Sequence, residues 1–169
     1  MNHDIHQEPR YNFYNFLPLA IILTCITAFT ILMRVYAGDW NLKDSLLDFM
    51  AGFFLVFGFF KVINLAGFAQ AYSTYDIIAQ RSIVYAYSYP FIEITLGILY
   101  LFRYNLFLAN LVTLFIMGIG SIGVIIELRK KREIVCACLG TVFKIPMTYV
   151  TLAEDLIMGL MALFMMVVL

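Results

Sequence analysis

Residues 106–127 read LFLANLVTLFIMGIGSIGVIIE, a run whose only charged residue is the last one. A helix needs roughly 20 predominantly apolar residues to cross the hydrocarbon core of a bilayer. This run has that length and composition, so it predicts a membrane-spanning helix. Four other stretches have the same character, and the five spans are expected at about 17–36, 46–67, 83–102, 106–127 and 146–169.

The composition of the whole chain agrees with these spans. Of its 169 residues, 63% are hydrophobic and 13% are charged, whereas soluble domains have about 25% charged residues. The formal net charge is zero, and no basic stripe is present, which excludes a nucleic-acid-binding protein. We therefore predict an all-α, polytopic transmembrane bundle of four to five spans in contact with the lipid bilayer. It forms one domain over residues 17–169, after a polar, interfacial tail at residues 1–16.

The distribution of Lys and Arg predicts the orientation, because short cytoplasmic loops carry an excess of both. With the N-terminus inside, seven basic residues fall on the inner side and three on the outer side. The inner residues are Arg10, Arg81, Arg129, Lys130, Lys131, Arg132 and Lys144, and the outer ones are Arg34, Lys43 and Arg103. The basic loop 129–132 is therefore expected at the cytoplasmic face of a bacterial inner (plasma) membrane, in a multi-pass protein.

Directly after this loop come Cys136 and Cys138, in the sequence RKKREIVCACLG at residues 129–140. Two thiolates in a loop suit a soft metal ion such as copper, zinc or mercury. The same pair could undergo dithiol–disulfide exchange, although the commoner redox spacing places two residues between the cysteines. A third interpretation is two small residues without chemistry. A cytoplasmic location favours free thiols, and with them the metal interpretation.

The last span contains two acidic residues, Glu154 and Asp155, about 12 Å from its start at 1.5 Å per residue. An ionisable residue inside a membrane is a functional-site hypothesis by default. The stripe at helical spacing that contains Glu154 carries sulfur and oxygen side chains. We predict that Glu154 and Met158, together with Glu93 of the third span, line a path for a soft cation, with Asp155 as a further metal ligand. Methionine as an apolar filler is the alternative. The full stripe is Met147, Thr151, Glu154, Met158, Met161 and Met165.

Three further intramembrane residues are candidates. Lys61 is expected either to pair with Glu93 or with the acidic pair of the last span, because buried ions normally have partners, or to extend toward the headgroups. Cys25 lies about 12 Å into the first span at the helical rise. It is a candidate third soft ligand, with packing as the alternative.

The motif Gly118-Ile-Gly120-Ser-Ile-Gly123 matches the dinucleotide-binding fingerprint letter by letter. It follows no predicted strand and lies inside an apolar span, so the structural context of that fingerprint is missing. Close packing of helices through small residues explains it better. No Ser/His/Asp arrangement or phosphate loop is found, and the sequence offers no catalytic constellation apart from the redox alternative at Cys136 and Cys138.

Several sequence elements resemble the MauE/DoxX group of small bacterial membrane proteins. They are FMAGFFLVFGFFK at Phe49–Lys61, Tyr75-Asp76, and YAYSYPFIEITLGILYL at Tyr85–Leu101. The CACLG element at Cys136–Gly140 is similar to the Cys-x-Cys-Phe-Gly signature of the MauE branch. Together they cover the chain from Phe49 to its C-terminus.

The resemblance implies a helical bundle and, for MauE itself, a part in maturing methylamine dehydrogenase through disulfide formation, with Cys136 and Cys138 as the functional residues. The chain departs from the MauE pattern at two places that bear on metal binding. Leu139 replaces the usual Phe, and Glu154-Asp155 stands where an Arg-Asn pair is commoner. The chain is similar to family members that accompany heavy-metal-associated domains.

Three functional hypotheses follow. The first is a membrane protein that binds and handles or transports a soft or heavy metal through Cys136/Cys138 and the last helix. The second is a MauE-type thiol-redox factor, and the third is a membrane subunit without chemistry of its own. The expected partners are a heavy-metal-associated domain or a thioredoxin-like protein, or a second copy of the chain.

Overall fold

The computed structural model describes residues 17–130 and 149–168, and this part of the chain contains only helices and their connections. The helices are α1 Leu17–Ala37, α2 Leu42–Ile63, α3 Leu65–Tyr72, α4 Ile83–Leu101, α5 Leu106–Arg129 and α6 Tyr149–Val168. Five of them, all except α3, are long and apolar enough to cross a membrane. The predicted all-α bundle is confirmed. The tail 1–16 and the pair Cys136/Cys138 lie outside the described residues.

The second helix is shifted toward the N-terminus relative to its predicted span, 46–67. It begins at Leu42, because the Asn41 side chain accepts a hydrogen bond from the Lys43 backbone N–H at 3.1 Å and caps the first turn. It ends at Ile63, and the side chain of Asn64 then caps α3 by accepting from the Gly67 N–H at 3.2 Å. Polar caps of this kind fix helix ends that a hydropathy pattern does not detect.

Two antiparallel pairs form the bundle, with α2 packed against α4 and α5 against α6. Helix α1 packs against α2 only, within the described residues. The core between α2 and α4 is aromatic: the rings of Phe54 and Tyr100 stack with centroids 5.9 Å apart, and those of Phe53 and Phe57 with centroids 4.2 Å apart. Stacked rings bury large apolar area in defined geometry.

The glycine motif of α5 lies at close contacts, as predicted. A Cβ on Gly120 would lie 2.8 Å from Oδ2 of Asp155, and one on Gly123 would lie 2.5 Å from the carbonyl oxygen of Tyr75. Gly118 has nothing within 4 Å at the same position. The motif therefore lets α5 approach both α6 and the segment after α3, rather than a nucleotide.

The segment between α2 and α4 folds as the short helix α3 followed by turns, and α3 packs against α4. Asp76 is fully buried, and its Oδ1 accepts hydrogen bonds from the backbone N–H groups of Ile78 at 2.9 Å and Ala79 at 2.8 Å. Phe68, Tyr72 and Tyr75 are buried beside it. The segment closes one end of the bundle.

An ion-pair network lies at the opposite end. The guanidinium of Arg34 on α1 lies 2.6 Å from Asp48 on α2. Arg103, in the turn after α4, lies 3.3 Å from Asp44 and 3.2 Å from Asp48. Two of the three basic residues assigned to the outer side are thus paired with carboxylates, which leaves that side with little uncompensated positive charge.

Candidate functional site

An ion pair lies inside the bundle. Nζ of Lys61 on α2 is 2.5 Å from Oε1 of Glu93 on α4, and the two side chains are 9% and 1% exposed. Of the two predicted partners of Lys61, Glu93 and the acidic pair of the last span, the structure shows Glu93. The alternative, a lysine that extends to the headgroups, is wrong, because the lysine side chain turns inward to a carboxylate. A pair this deeply buried is maintained only if both partners are present.

Aromatic rings surround the ammonium group of Lys61. Its Nζ lies 5.6 Å from the ring centroid of Phe68 and 5.2 Å from that of Tyr89. The ring of Tyr72 packs against Tyr89 with centroids 4.5 Å apart. The negative face of an aromatic ring attracts a cation within about 6 Å, so these rings stabilise the charge of Lys61 in addition to Glu93.

Helix α6 adds two carboxylates to the same place. Glu154 and Asp155 line a cavity together with Lys61 and Glu93, and the volume of this cavity is about 30 Å³. We call it the chamber. Its aromatic wall consists of Phe53, Phe57, Phe68, Tyr72, Tyr75 and Tyr89, and Met117, Gly120 and Thr151 complete it. A space of this size and polarity is sufficient for one or two water-sized molecules.

The chamber carries an excess of acidic groups. Among the described residues, three carboxylates line it, those of Glu93, Glu154 and Asp155, and one amine, that of Lys61. Within the described residues, Oε2 of Glu93 and Oε1 of Glu154 are buried without a hydrogen-bond partner. Buried polar oxygens are almost always satisfied by protein, water or an ion. The chamber is therefore polar, net acidic and incompletely satisfied by its own residues.

Tyr75, in the turn after α3, forms the end wall of the chamber. The pKa of the Tyr75 hydroxyl is raised well above its usual value, mainly by burial and secondly by the nearby carboxylate of Asp155. The phenol therefore stays neutral at physiological pH. Tyr75 thus contributes a neutral polar group, and its carbonyl packs on Gly123 of α5.

The structure brings some of the predicted site residues together and separates others. Glu93, Lys61, Glu154 and Asp155 meet in the chamber, whereas Met158 lies buried further along α6, in the hydrophobic core. Met165, another member of the methionine stripe, is also fully buried. Both methionines fill the core where they lie.

Cys25 has different surroundings. It is an exposed free cysteine on α1 and lines an apolar groove with residues of α1 and α2 such as Ile26 and Leu55. Among residues 17–130 and 149–168, no group of three or more His, Cys, Asp or Glu side chains is arranged to hold a metal. The described residues that line the groove of Cys25 include no acidic side chain that could bind a metal together with it.

Cys136 and Cys138 lie outside the described residues, but the helices on either side of them are defined. Gly120 and Gly123, in the C-terminal half of α5, contact Asp155 and Tyr75, and Asp155 lies in the second turn of α6. The C-terminal end of α5 and the N-terminal end of α6 therefore both lie at the chamber end of the bundle.

The sequence interpretation missed the tyrosine wall of the chamber. Tyr85, Tyr89 and Glu93 recur at intervals of four residues on α4, which places them on one helix face. That periodicity, together with Tyr72 and Tyr75 in the preceding segment, was the available signal. The same spacing is expected of aromatic residues in general helix packing or at a membrane interface, so it does not by itself indicate a binding site.

Comparison with known proteins supplies the family. The sequence profile of the family described as "Methylamine utilisation protein MauE" matches residues 40–168. No curated protein and no solved structure was found to match the chain. The matched range covers α2 to α6 and includes every chamber residue, while α1 precedes it. The chain therefore belongs to the MauE family of small, helical membrane proteins.

Proposed function

We propose that the protein is a thiol-redox membrane factor in which Cys136 and Cys138 exchange a disulfide with a partner protein. The observation that carries this proposal is the family match over residues 40–168, a range that includes both cysteines. The resemblance of CACLG to the Cys-x-Cys signature of the MauE branch supports it further. A thioredoxin-like protein or a maturing enzyme with its own cysteine pair is the class of partner that suits this chemistry.

The exchange needs no other reactant. In the free-thiol form that a cytoplasmic location favours, the Cys136 thiolate attacks the disulfide of a partner, the sulfur–sulfur bond of the partner breaks and a mixed disulfide forms. The Cys138 thiol then attacks the mixed disulfide, so that the partner leaves as a dithiol and Cys136 and Cys138 end as a disulfide. The same two steps in reverse reduce the chain again with the two thiols of a second protein. The basic residues beside the pair stabilise the thiolates that these steps use.

This proposal predicts a trapped intermediate. Replacing one cysteine, as in Cys138→Ser, removes the resolving thiol, so we expect a mixed disulfide with a partner to accumulate in the membrane and to disappear on reduction. Non-reducing electrophoresis and mass spectrometry detect it. Cys25→Ser is the matched control, because Cys25 lies in an apolar groove on another helix, and it should leave trapping unchanged. A trap that depends on Cys25, or none with either single variant, contradicts the proposal.

We also propose the orientation given by the charge count, with the N-terminus and residues 129–138 on the cytoplasmic side of the inner membrane. The count of seven Lys and Arg residues on the inner side against three on the outer side supports it. A membrane-impermeant maleimide should then label Cys136 in inverted vesicles and not in intact spheroplasts. Labelling in spheroplasts would reverse the assignment.

The second candidate is the binding and transport of a soft metal ion through Cys136 and Cys138. The carboxylates of Glu154 and Asp155, which line the chamber, favour it. Within residues 17–130 and 149–168 no metal-binding group is found, so the two thiolates would supply the affinity, with α6 as the path.

This candidate predicts thiol-dependent metal binding by the reduced protein. We expect Cu(I) or Zn(II) to co-purify with the protein, and Cys136→Ser combined with Cys138→Ser to lower the bound metal to background. Elemental analysis of the purified protein measures it, with Cys25→Ser as the control. Equal metal content in the double variant and the unaltered protein excludes the candidate and leaves the redox proposal intact.

A further inference from the structure

The chamber has features that neither thiol exchange nor soft-metal binding uses. Three carboxylates face one amine, and the side chain of Glu93, which is 1% exposed, retains one oxygen without a partner although it lines the cavity. Lys61 pairs with one oxygen of Glu93, and the other oxygen of Glu93 and one oxygen of Glu154 are left to interact with a second cation. The acidic excess alone does not specify which cation this is.

The aromatic wall of the chamber indicates which kind of cation would bind there. Lys61 shows that the faces of Phe68 and Tyr89 accept an ammonium group, at 5.6 and 5.2 Å from the ring centroids. Tyr72 and Tyr75 add further aromatic wall toward Glu154 and Asp155. Ring faces combined with carboxylates are the usual recognition elements for ammonium-type cations.

The size and arrangement of the chamber point the same way. A volume of about 30 Å³ holds one or two water-sized groups, which is enough for ammonium or methylammonium and too little for a bulky quaternary amine. Within the described residues, no three acidic or sulfur side chains converge as ligands of a metal ion do. Hence the cavity suits a cation recognised by ring faces and one or two carboxylates rather than by a full coordination shell.

We propose that the chamber is a binding site for a small ammonium-type cation, held by the carboxylates of Glu154 and Asp155 against the aromatic wall that already holds the ammonium of Lys61. Gly120 contributes space, because a Cβ there would lie 2.8 Å from the carboxylate of Asp155. This site makes α6 a cation-contacting helix in its own right.

The test is a comparison of cations on the full-length protein in detergent. At constant ionic strength, sodium chloride is replaced by ammonium, methylammonium or tetramethylammonium chloride, and thermal unfolding and binding enthalpy are measured. A cation that binds only the folded protein raises its midpoint temperature in a saturable way. We expect this rise with ammonium and methylammonium, and not with sodium or tetramethylammonium.

Variants locate the effect. Glu154→Gln combined with Asp155→Asn should weaken ammonium binding by about tenfold or more, the equivalent of about 1.4 kcal/mol or more. Asp39→Asn, in the exposed turn before α2, should leave binding unchanged. Identical responses to ammonium and sodium, or a response to tetramethylammonium of equal size, overturn the proposal. This ion comparison on the unaltered protein decides the question even if the double variant does not fold.

Discussion

Replacing Lys61 by methionine is expected to destabilise the bundle strongly. The substitution keeps a side chain of similar length and removes the only amine that the described residues place in the chamber, so the carboxylate of Glu93 loses its ion-pair partner. Breaking a buried ion pair by removing one partner costs about 3–5 kcal/mol. The free energy of unfolding, measured by helix loss in mixed micelles with increasing SDS, should fall by that amount.

A double variant isolates the charge effect from lost packing. Lys61→Met combined with Glu93→Gln removes both charges of the pair, and we expect it to recover more than half of the lost stability, since no ionised Glu93 is then left behind. Glu93→Gln alone should cost less than Lys61→Met alone, because Lys61 can still interact with the carboxylates of α6. Lys43→Met, at the other end of α2, is the control. If Lys61→Met unfolds at the same SDS concentration as the unaltered protein, the ion pair of Lys61 and Glu93 does not stabilise the bundle and the prediction is wrong.

Gly123→Ala is expected to displace the segment that closes the chamber. The added Cβ would lie 2.5 Å from the carbonyl oxygen of Tyr75 and 3.2 Å from Cα of Asp76. These are backbone atoms, so the clash cannot be relieved by turning a side chain. Overpacking of this kind costs about 1–3 kcal/mol, and sometimes more. We therefore expect the Gly123→Ala variant to have a lower free energy of unfolding and faster hydrogen exchange of the backbone N–H groups of Ile78 and Ala79.

Gly118→Ala supplies the matched control on the same helix. Nothing lies within 4 Å of a Cβ at that position, and alanine favours a helix over glycine by up to about 1 kcal/mol in water. We therefore expect stability equal to or above that of the unaltered protein, with normal exchange at Ile78 and Ala79. Equal losses for Gly118→Ala and Gly123→Ala would show that the close contact between α5 and Tyr75 is not required.

Hydropathy predicted where the spanning helices lie, because each span must be apolar over a fixed length. The end of α2 was predicted less well, since Asn64 terminates that helix by a local hydrogen bond that hydropathy ignores. Intramembrane charge identified Lys61, Glu93, Glu154 and Asp155 as candidates, because an ionised group inside a membrane needs a partner. The identity of that partner could not be predicted, and two acidic sites were equally suitable for Lys61.

The sequence by itself determined the class of the protein, the five spans, the small-residue packing of α5 and the set of buried ionisable residues, all properties of single helices. Only the tertiary structure decided that Lys61 pairs with Glu93, that Glu154 and Asp155 face the same cavity, and that Tyr72, Tyr75 and Tyr89 form its wall. These contacts depend on the relative position and rotation of α2, α4 and α6. That arrangement is fixed by side-chain packing between helices far apart in sequence, which no local pattern encodes.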